Sequence, residues 1–447
     1  MKLWEKGYEL DQLVETFMTG DDPVLDQALI LYDCMGSIAH AKMLAKIGIL
    51  TTDECHQLVC ELHSLIRLSE KGQFKIQPED EDVHTTIENA LTAKLGHIGK
   101  KIHTARSRND QILLDLRLYS REWLLKTAQD VQGAIHVLLS FAEAYHAIPI
   151  PGRTHFQRAM PSSLGLWAGA FAESLLDDME LLKTAYFLVD QCPLGSAASY
   201  GVALDIDRQY VADLLGFEKV QNNVLYANNS RGKFEAVILN ALVQIMNDLS
   251  KIATDIIIFS APEFGYLGLP EKFCPGSSLM PQKRNPCPLE LIRAKSATLQ
   301  SYLFQVLEIV RTLPSGYNRD FQETKRPLMQ GFETTCLSLK VLSQIIPELE
   351  VRQKQCTEAF TSELFATDQV LKLVKEGKPF RDAYSEIAIH PEDVSMQNPI
   401  ENILSKTHLG ATGNLRLDVN RMRLQEYQKW HGALQQKWQH MQAKLSS

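Results

Sequence analysis

Four short runs of this 447-residue chain gather side chains that can hold an anion and exchange protons. The densest is Gly276-Ser277-Ser278-Leu279-Met280-Pro281-Gln282-Lys283-Arg284-Asn285-Pro286. Its prolines fix φ and withhold backbone donors, so it reads as an ordered loop and not a helix interior. A helical apolar pattern starts at Leu289, which puts Pro286 or Pro288 in a first helical turn. The loop thus brings hydroxyls, an ammonium and a carboxamide to a helix N-terminus, where anions bind well. Composition alone favours a plain connecting loop.

The second run is Pro151-Gly152-Arg153-Thr154-His155-Phe156-Gln157-Arg158-Ala159-Met160-Pro161, which sets an imidazole on an ordered turn ahead of a long helix. A lone histidine is more often just a hydrogen-bonded one. The third runs from Gly99 to Gln111 and places Arg106, Ser107, Arg108 and Asn109 at the start of the longest helical pattern. Ser, Asn and Asp there are usual caps, but two arginines at a positive helix end make an anion site. The fourth, Gly316 to Lys325, is by composition a polar connection between helices. Earlier, His84 and Glu88 stand one helical turn apart, as a plain surface pair would.

The elements that position these runs are helical. From Asn109 to Ala147 there is no proline, and Leu124, Ala128, Val131, Ile135, Leu138 and Ala142 recur at spacings of four and three. About 38 such residues make a helix of roughly 57 Å, capped by Asn109 or Asp110 and closed before Pro149. Further patterns run from Pro161 to about Asp190, from about Lys233 to Ser260, and from Pro286 to Leu313. The third is apolar nearly all round from Ala236 to Met246, so it is expected to be buried on every side, partly by other subunits. The expected class is all-α in three parts. These are an N-terminal helical domain (1–105), a central long-helix bundle holding the 276–286 loop (106–355) and a small C-terminal helical domain (356–447).

Composition narrows the function. Net charge is −8, which gives nucleic-acid binding no electrostatic support. The most apolar stretch, Ala236 to Asn247, is cut off by Asp248, Lys251 and Asp255, too short and charged to span a bilayer. Met1-Lys2-Leu3-Trp4-Glu5-Lys6 is not followed by the apolar core of a leader peptide. Eight scattered cysteines show no metal-ligand spacing and fit free thiols in a reducing cytoplasm. No metal or cofactor is expected.

The 276–286 run closely resembles the signature loop of the fumarase/aspartase superfamily, Gly-Ser-x-x-Met-Pro-x-Lys-x-Asn-Pro, at every fixed position. Gln282 at its variable place, and the stretch His103-Thr104-Ala105-Arg106-Ser107-Arg108-Asn109-Asp110-Gln111, resemble the argininosuccinate lyase family. So do Thr154-His155 and the Tyr317 to Lys325 segment. The resemblance implies a mostly helical homotetramer whose active sites combine three subunits. It implies β-elimination of argininosuccinate to arginine and fumarate, the last step of arginine biosynthesis. A proton is removed next to a carboxylate, an aci-carboxylate dianion develops, and fixed cations and donors stabilise it. The leaving nitrogen takes a proton from a general acid.

By the same resemblance Ser277 and His155 form the acid–base pair, with the direction of proton transfer open. Glu290 orients His155, and Lys283 stabilises charge. Ser107, Arg108, Asn109, Thr154, Asn285, Tyr317, Gln322 and Lys325 bind substrate. Two departures stand out. Where the family carries Ser-Asp-Arg-Asp this chain has Asn229-Ser230-Arg231-Gly232, and Asp22 falls where a substrate-binding serine is usual. They bear on how the arginine half is held and mark a divergent branch. The alternatives are another fumarate-releasing C–N lyase acting on adenylosuccinate or a different succinylated amine, a non-catalytic lens-crystallin-like reuse of the fold, and a helical scaffold with exposed apolar stripes.

Overall fold

The computed structural model describes residues 10–446; the Met1–Lys6 run read above lies outside them. Three helices, α1 (Ile30–Lys46), α2 (Thr52–Glu70) and α3 (Val83–Leu95), pack together ahead of the longest one, α4 (Arg108–Ala144). Then come a hairpin of β1 (Pro149–Thr154) and β2 (Gln157–Ser163), and the long helices α5 (Leu164–Val189), α6 (Lys233–Ser260), α7 (Cys287–Val310) and α8 (Lys325–Ile345). The final helix, α9 (Leu417–Ser446), returns to lie on α4 and α5. Strands among the described residues form only three two-stranded sheets, so the class is all-α as expected.

The start of α4 differs from the sequence expectation. Its cap is Ser107, not Asn109 or Asp110: Ser107 has extended backbone (φ −125°, ψ 149°) and its Oγ accepts the Asn109 N–H at 3.2 Å. Asp110 closes a capping box by accepting the Ser107 N–H at 2.9 Å, which fits its place three residues on. The α4 end comes at Ala144, three residues short of Ala147. Likewise α5 starts at Leu164 and not Pro161, because Pro161 pairs with Pro151 in the hairpin, and Ser163 Oγ caps the helix by accepting from Leu166 N at 3.0 Å. In α7 it is Pro288, and not Pro286, that lies in the first turn.

The core runs through the bundle. α6 lies among α5, α7 and α8, and they cover its apolar N-terminal half within one chain. Its exposed positions, Lys233, Asn240, Gln244 and Lys251, form one polar stripe. At 28 residues α6 is long and apolar enough to cross a membrane, contrary to the reading of its central stretch as too short; 67% of that window is buried in the protein, as in a core helix. An aromatic set ties α1, α4 and α8 together, with Tyr119 5.7 Å from Tyr32 and 6.1 Å from Phe332, edge to face. A separate small core forms from Phe360, Leu364, Phe365, Val370, Ala383, Ile387 and Val394.

Candidate active site

Three segments meet at the N-terminal end of α4: the 17–26 segment, the start of α3, and the loop leading into α8. They enclose a cavity of about 540 Å³. Six of the eight expected substrate-binding residues line it: Ser107, Arg108, Asn109, Tyr317, Gln322 and Lys325. Asp110, fully buried, pins the turn after α5 to the same helix end. Its Oδ2 accepts the N–H groups of Gly195 (3.0 Å) and Ala197 (2.8 Å), which brings Ala198 to the cavity wall. Burial pushes the Asp110 carboxyl above its usual range, against these N–H donors.

The cavity is rich in cations, most of them matched. Arg108 pairs with Asp82 and, at 3.3 Å, with Glu81. Arg319 reaches Glu81 at 3.2 Å. Lys325, 2% exposed, donates to Asp22 Oδ1 at 2.8 Å and to Asp26. Burial pulls the Lys325 ammonium down, but the Asp26 and Asp22 carboxylates outweigh it and hold it above its ordinary value. Burial raises Asp22 despite Lys325. Burial also works upward on Asp82, yet His84, Arg108 and the Thr85 N–H keep it below the usual carboxylate range. Gln322 is fixed by donating to the carbonyls of Met18 (3.1 Å) and Thr19 (3.4 Å).

His84 corrects one expectation: it is not a surface partner of Glu88. It is buried, with Nδ1 2.5 Å from Asp33 Oδ2 and 3.8 Å from Asp115 Oδ2, and Glu88 pairs instead with His103 at 3.2 Å. Burial, and then Asp33 and Asp26, raise the Asp115 carboxyl well above its usual range. The potential ligand atoms of Asp33, His84 and Asp115 lie within 4.8 Å of one another, the one such grouping among the described residues. The 2.5 Å contact commits the donor atoms of Asp33 and His84 to each other, and the charges of Arg106 and Lys325 already act on Asp115. A metal there would have to break this arrangement. Sequence spacing gave no sign of it, since the three residues come from three helices.

The remaining expected residues lie elsewhere in the chain. Thr154 and His155 sit at the exposed tip of the β1–β2 hairpin, where His155 (φ 53°) and Phe156 (φ 61°) form the two-residue turn. Ser277, Lys283 and Asn285 lie on the loop before α7, closed by an antiparallel bridge of Gly276 with Arg284 and by the Asn285 N–H on the Pro275 carbonyl at 3.1 Å. Ser277 Oγ accepts two amide N–H groups, from Leu279 at 3.3 Å and Met280 at 3.1 Å. Fixed dipoles of this kind favour negative charge on that oxygen. Glu290 is exposed in the first turn of α7. None of Thr154, His155, Ser277, Lys283, Asn285 or Glu290 lines the cavity. One chain therefore presents a binding cavity, an imidazole and a serine loop at separate places.

The family description matching residues 10–300 is that of lyases. The chain is 46% identical to the argininosuccinate lyase of Thermotoga neapolitana, over 87% of this chain and 97% of that protein. It is 42% identical to the argininosuccinate lyase of Sorangium cellulosum, over 96% and 99%. Among solved structures it resembles an EDDS lyase in complex with formate (TM-score 0.82, 21% identity, 99% of this chain and 95% of that one). It also resembles a class II fumarase from Schistosoma mansoni (TM-score 0.72, 16% identity, 91% and 97%). These last two likenesses speak to the fold.

Proposed function

The chain belongs to the argininosuccinate lyase family, and we propose that its cavity and its two outlying loops together perform reversible β-elimination of argininosuccinate to L-arginine and fumarate. The protein is a carbon–nitrogen lyase with a small-molecule substrate. The observation that carries the site assignment is the cavity itself: six residues, from two runs about 200 positions apart, converge on one cation-rich space suited to a polycarboxylate.

In the proposed reaction a base takes the proton from the carbon beside a carboxylate. The electron pair left behind passes into that carboxylate, then forms the carbon–carbon double bond as the bond to the guanidino nitrogen breaks. That nitrogen gains a proton from the acid. Ser277 and His155 are the proton-exchanging pair, and the two amides on Ser277 Oγ support charge on it. Lys283 and Asn285 meet the aci-carboxylate, Thr154 binds substrate, and Glu290 orients His155.

We propose a homotetramer in which the cavity of one subunit receives the His155 hairpin and the Ser277 loop from others. The separation of these elements within one chain supports this. So does the outer face of α7, which exposes Leu291, Ala294, Phe304 and Leu307. The three-part division near residues 105 and 355 belongs to the same proposal, its second boundary supported by the separate core around Phe365. Eight free thiols support a cytoplasmic setting. The test is fumarate release, read by ultraviolet absorbance, from argininosuccinate with adenylosuccinate alongside. Release from argininosuccinate alone is expected; none from it, with the assembly intact, would overturn the reading.

A further inference from the structure

The loop that carries Ser277, Lys283 and Asn285 has a cysteine at each end. Cys274 lies two residues before Gly276, and Cys287 lies two residues after Asn285, as the first residue of α7. Neither has a place in the proposed reaction. The loop stem draws their backbones together. Gly276 pairs with Arg284 as antiparallel neighbours. The Asn285 N–H donates to the Pro275 carbonyl at 3.1 Å, one residue nearer the cysteine on each side. Residues paired in this way have Cα atoms about 4.5–5.5 Å apart, and a disulfide spans about 4.4–6.8 Å.

The two thiols also act on each other. Burial raises the Cys274 thiol above its ordinary value; the Arg284 guanidinium opposes this, and the Cys287 sulfur adds to it, as a near neighbour does. Reagents can reach the pair. Both thiols are free and partly exposed, whereas Cys34, Cys192, Cys336 and Cys356 are buried. Cys274 lines a cavity of about 410 Å³ between the loop stem and the end of α8, together with Glu271, Lys272, Pro288 and Ile345.

We infer that Cys274 and Cys287 form a reversible disulfide that locks the stem of the Ser277 loop and makes it a thiol-redox control site. The oxidant is a low-molecular-weight disulfide of the glutathione class. The Cys274 thiolate attacks one of its sulfurs, a mixed disulfide forms, and one small thiol leaves. The Cys287 thiolate then attacks Cys274 Sγ and expels the second small thiol. Two electrons pass from the cysteines to the small disulfide, and the two protons end on the released thiols. Excess small thiol runs the exchange backwards. The bond puts a fixed point three residues from Ser277 and two from Asn285. A displacement of about 1 Å in reacting groups costs about 10²-fold, so the oxidised protein is expected to turn over about 10- to 100-fold more slowly. That slowing rests on the lyase reading; the bond itself does not.

The test incubates the assembled wild-type protein with oxidised glutathione, blocks the remaining thiols and digests with trypsin. Residues 273–283 and 285–293 are expected as one linked species, about 2 Da lighter than the two reduced peptides together. Fumarate release falls as the link forms, and dithiothreitol restores it. Cys274→Ser and Cys287→Ser keep wild-type turnover and lose the sensitivity to oxidised glutathione. Cysteines that stay free or glutathione-capped, with no linked species, overturn the inference, and this readout needs no variant. A linked species with unchanged turnover overturns the control role. Reduced protein that releases no fumarate from argininosuccinate sinks the lyase reading instead, and the peptide masses still decide the bond.

Discussion

Mixing two inactive variants tests the division of the site between subunits. Consider His155→Ala and Ser277→Ala chains, each purified and then reassembled together at equal amounts. Both side chains are at least partly exposed, and neither holds the chain together: His155 has no hydrogen-bond partner among the described residues, and Ser277 accepts from two loop amides. Losing either costs less than about 0.5 kcal/mol of stability, because solvent replaces the missing partner. Losing either proton-transfer group slows turnover about 10²- to 10⁴-fold, so each variant alone shows at most about 1% of wild-type activity. If a site takes His155 and Ser277 from different subunits, it works only when both donors are intact. In a random mixture each is intact about half the time, and about one quarter of sites recover. The signal is thus about 25-fold or more over background. The assay is fumarate release after mild dissociation and reassembly, with native mass spectrometry to count mixed tetramers. Mixed tetramers with background activity would place His155 and Ser277 of one site in the same chain and refute the argument.

Other outcomes follow from the same structure. Asp110→Asn keeps the size of a residue whose two oxygens accept three backbone N–H groups and puts an NH₂ against one set. We expect a loss of about 3 kcal/mol in denaturant unfolding and a raised KM, since both Ser107 and Ala198 shift; an unchanged midpoint would contradict the pinning role. Asp178 has its pKa pushed up to about 8 by burial, then by the charges of Asp248 and Asp177. A carboxyl raised in the folded state gives stability that is complete below its unfolded pKa near 4 and is lost as pH climbs towards 8. Asp178→Asn is therefore expected to flatten the fall in melting temperature between pH 5 and 8 and to stabilise at pH 8 by roughly 1–3 kcal/mol. The same slope in both proteins would show that Asp178 ionises normally.

Much of the local architecture was legible because it depends on neighbours in sequence. The helical period located α6 to the residue and the other long helices to within a few, and prolines located the loops. The ends slipped where a cap competed: Ser107 carries a hydroxyl at an extended backbone position, and Asp110 serves it from inside the helix. Pro161 read as a helix start because strand pairing with Pro151 involves residues that lie beyond a hairpin turn.

The family and the reaction were written in four short runs, since proton transfer and carboxylate binding need particular residue types at particular places on a loop or helix end. The sequence by itself thus determined which chemistry the chain can do. Only the tertiary structure decided how that chemistry is distributed. It put six of the residues expected to bind substrate around one cavity and left His155 and Ser277 outside it. It turned His84 from a surface residue into the centre of a buried pair of carboxylates, and it left the buried Nε of Arg231 without a hydrogen-bond partner among the described residues. Burial and ion pairing are relations between residues 50 to 300 positions apart, as with Lys325 and Asp26, and packing alone sets them.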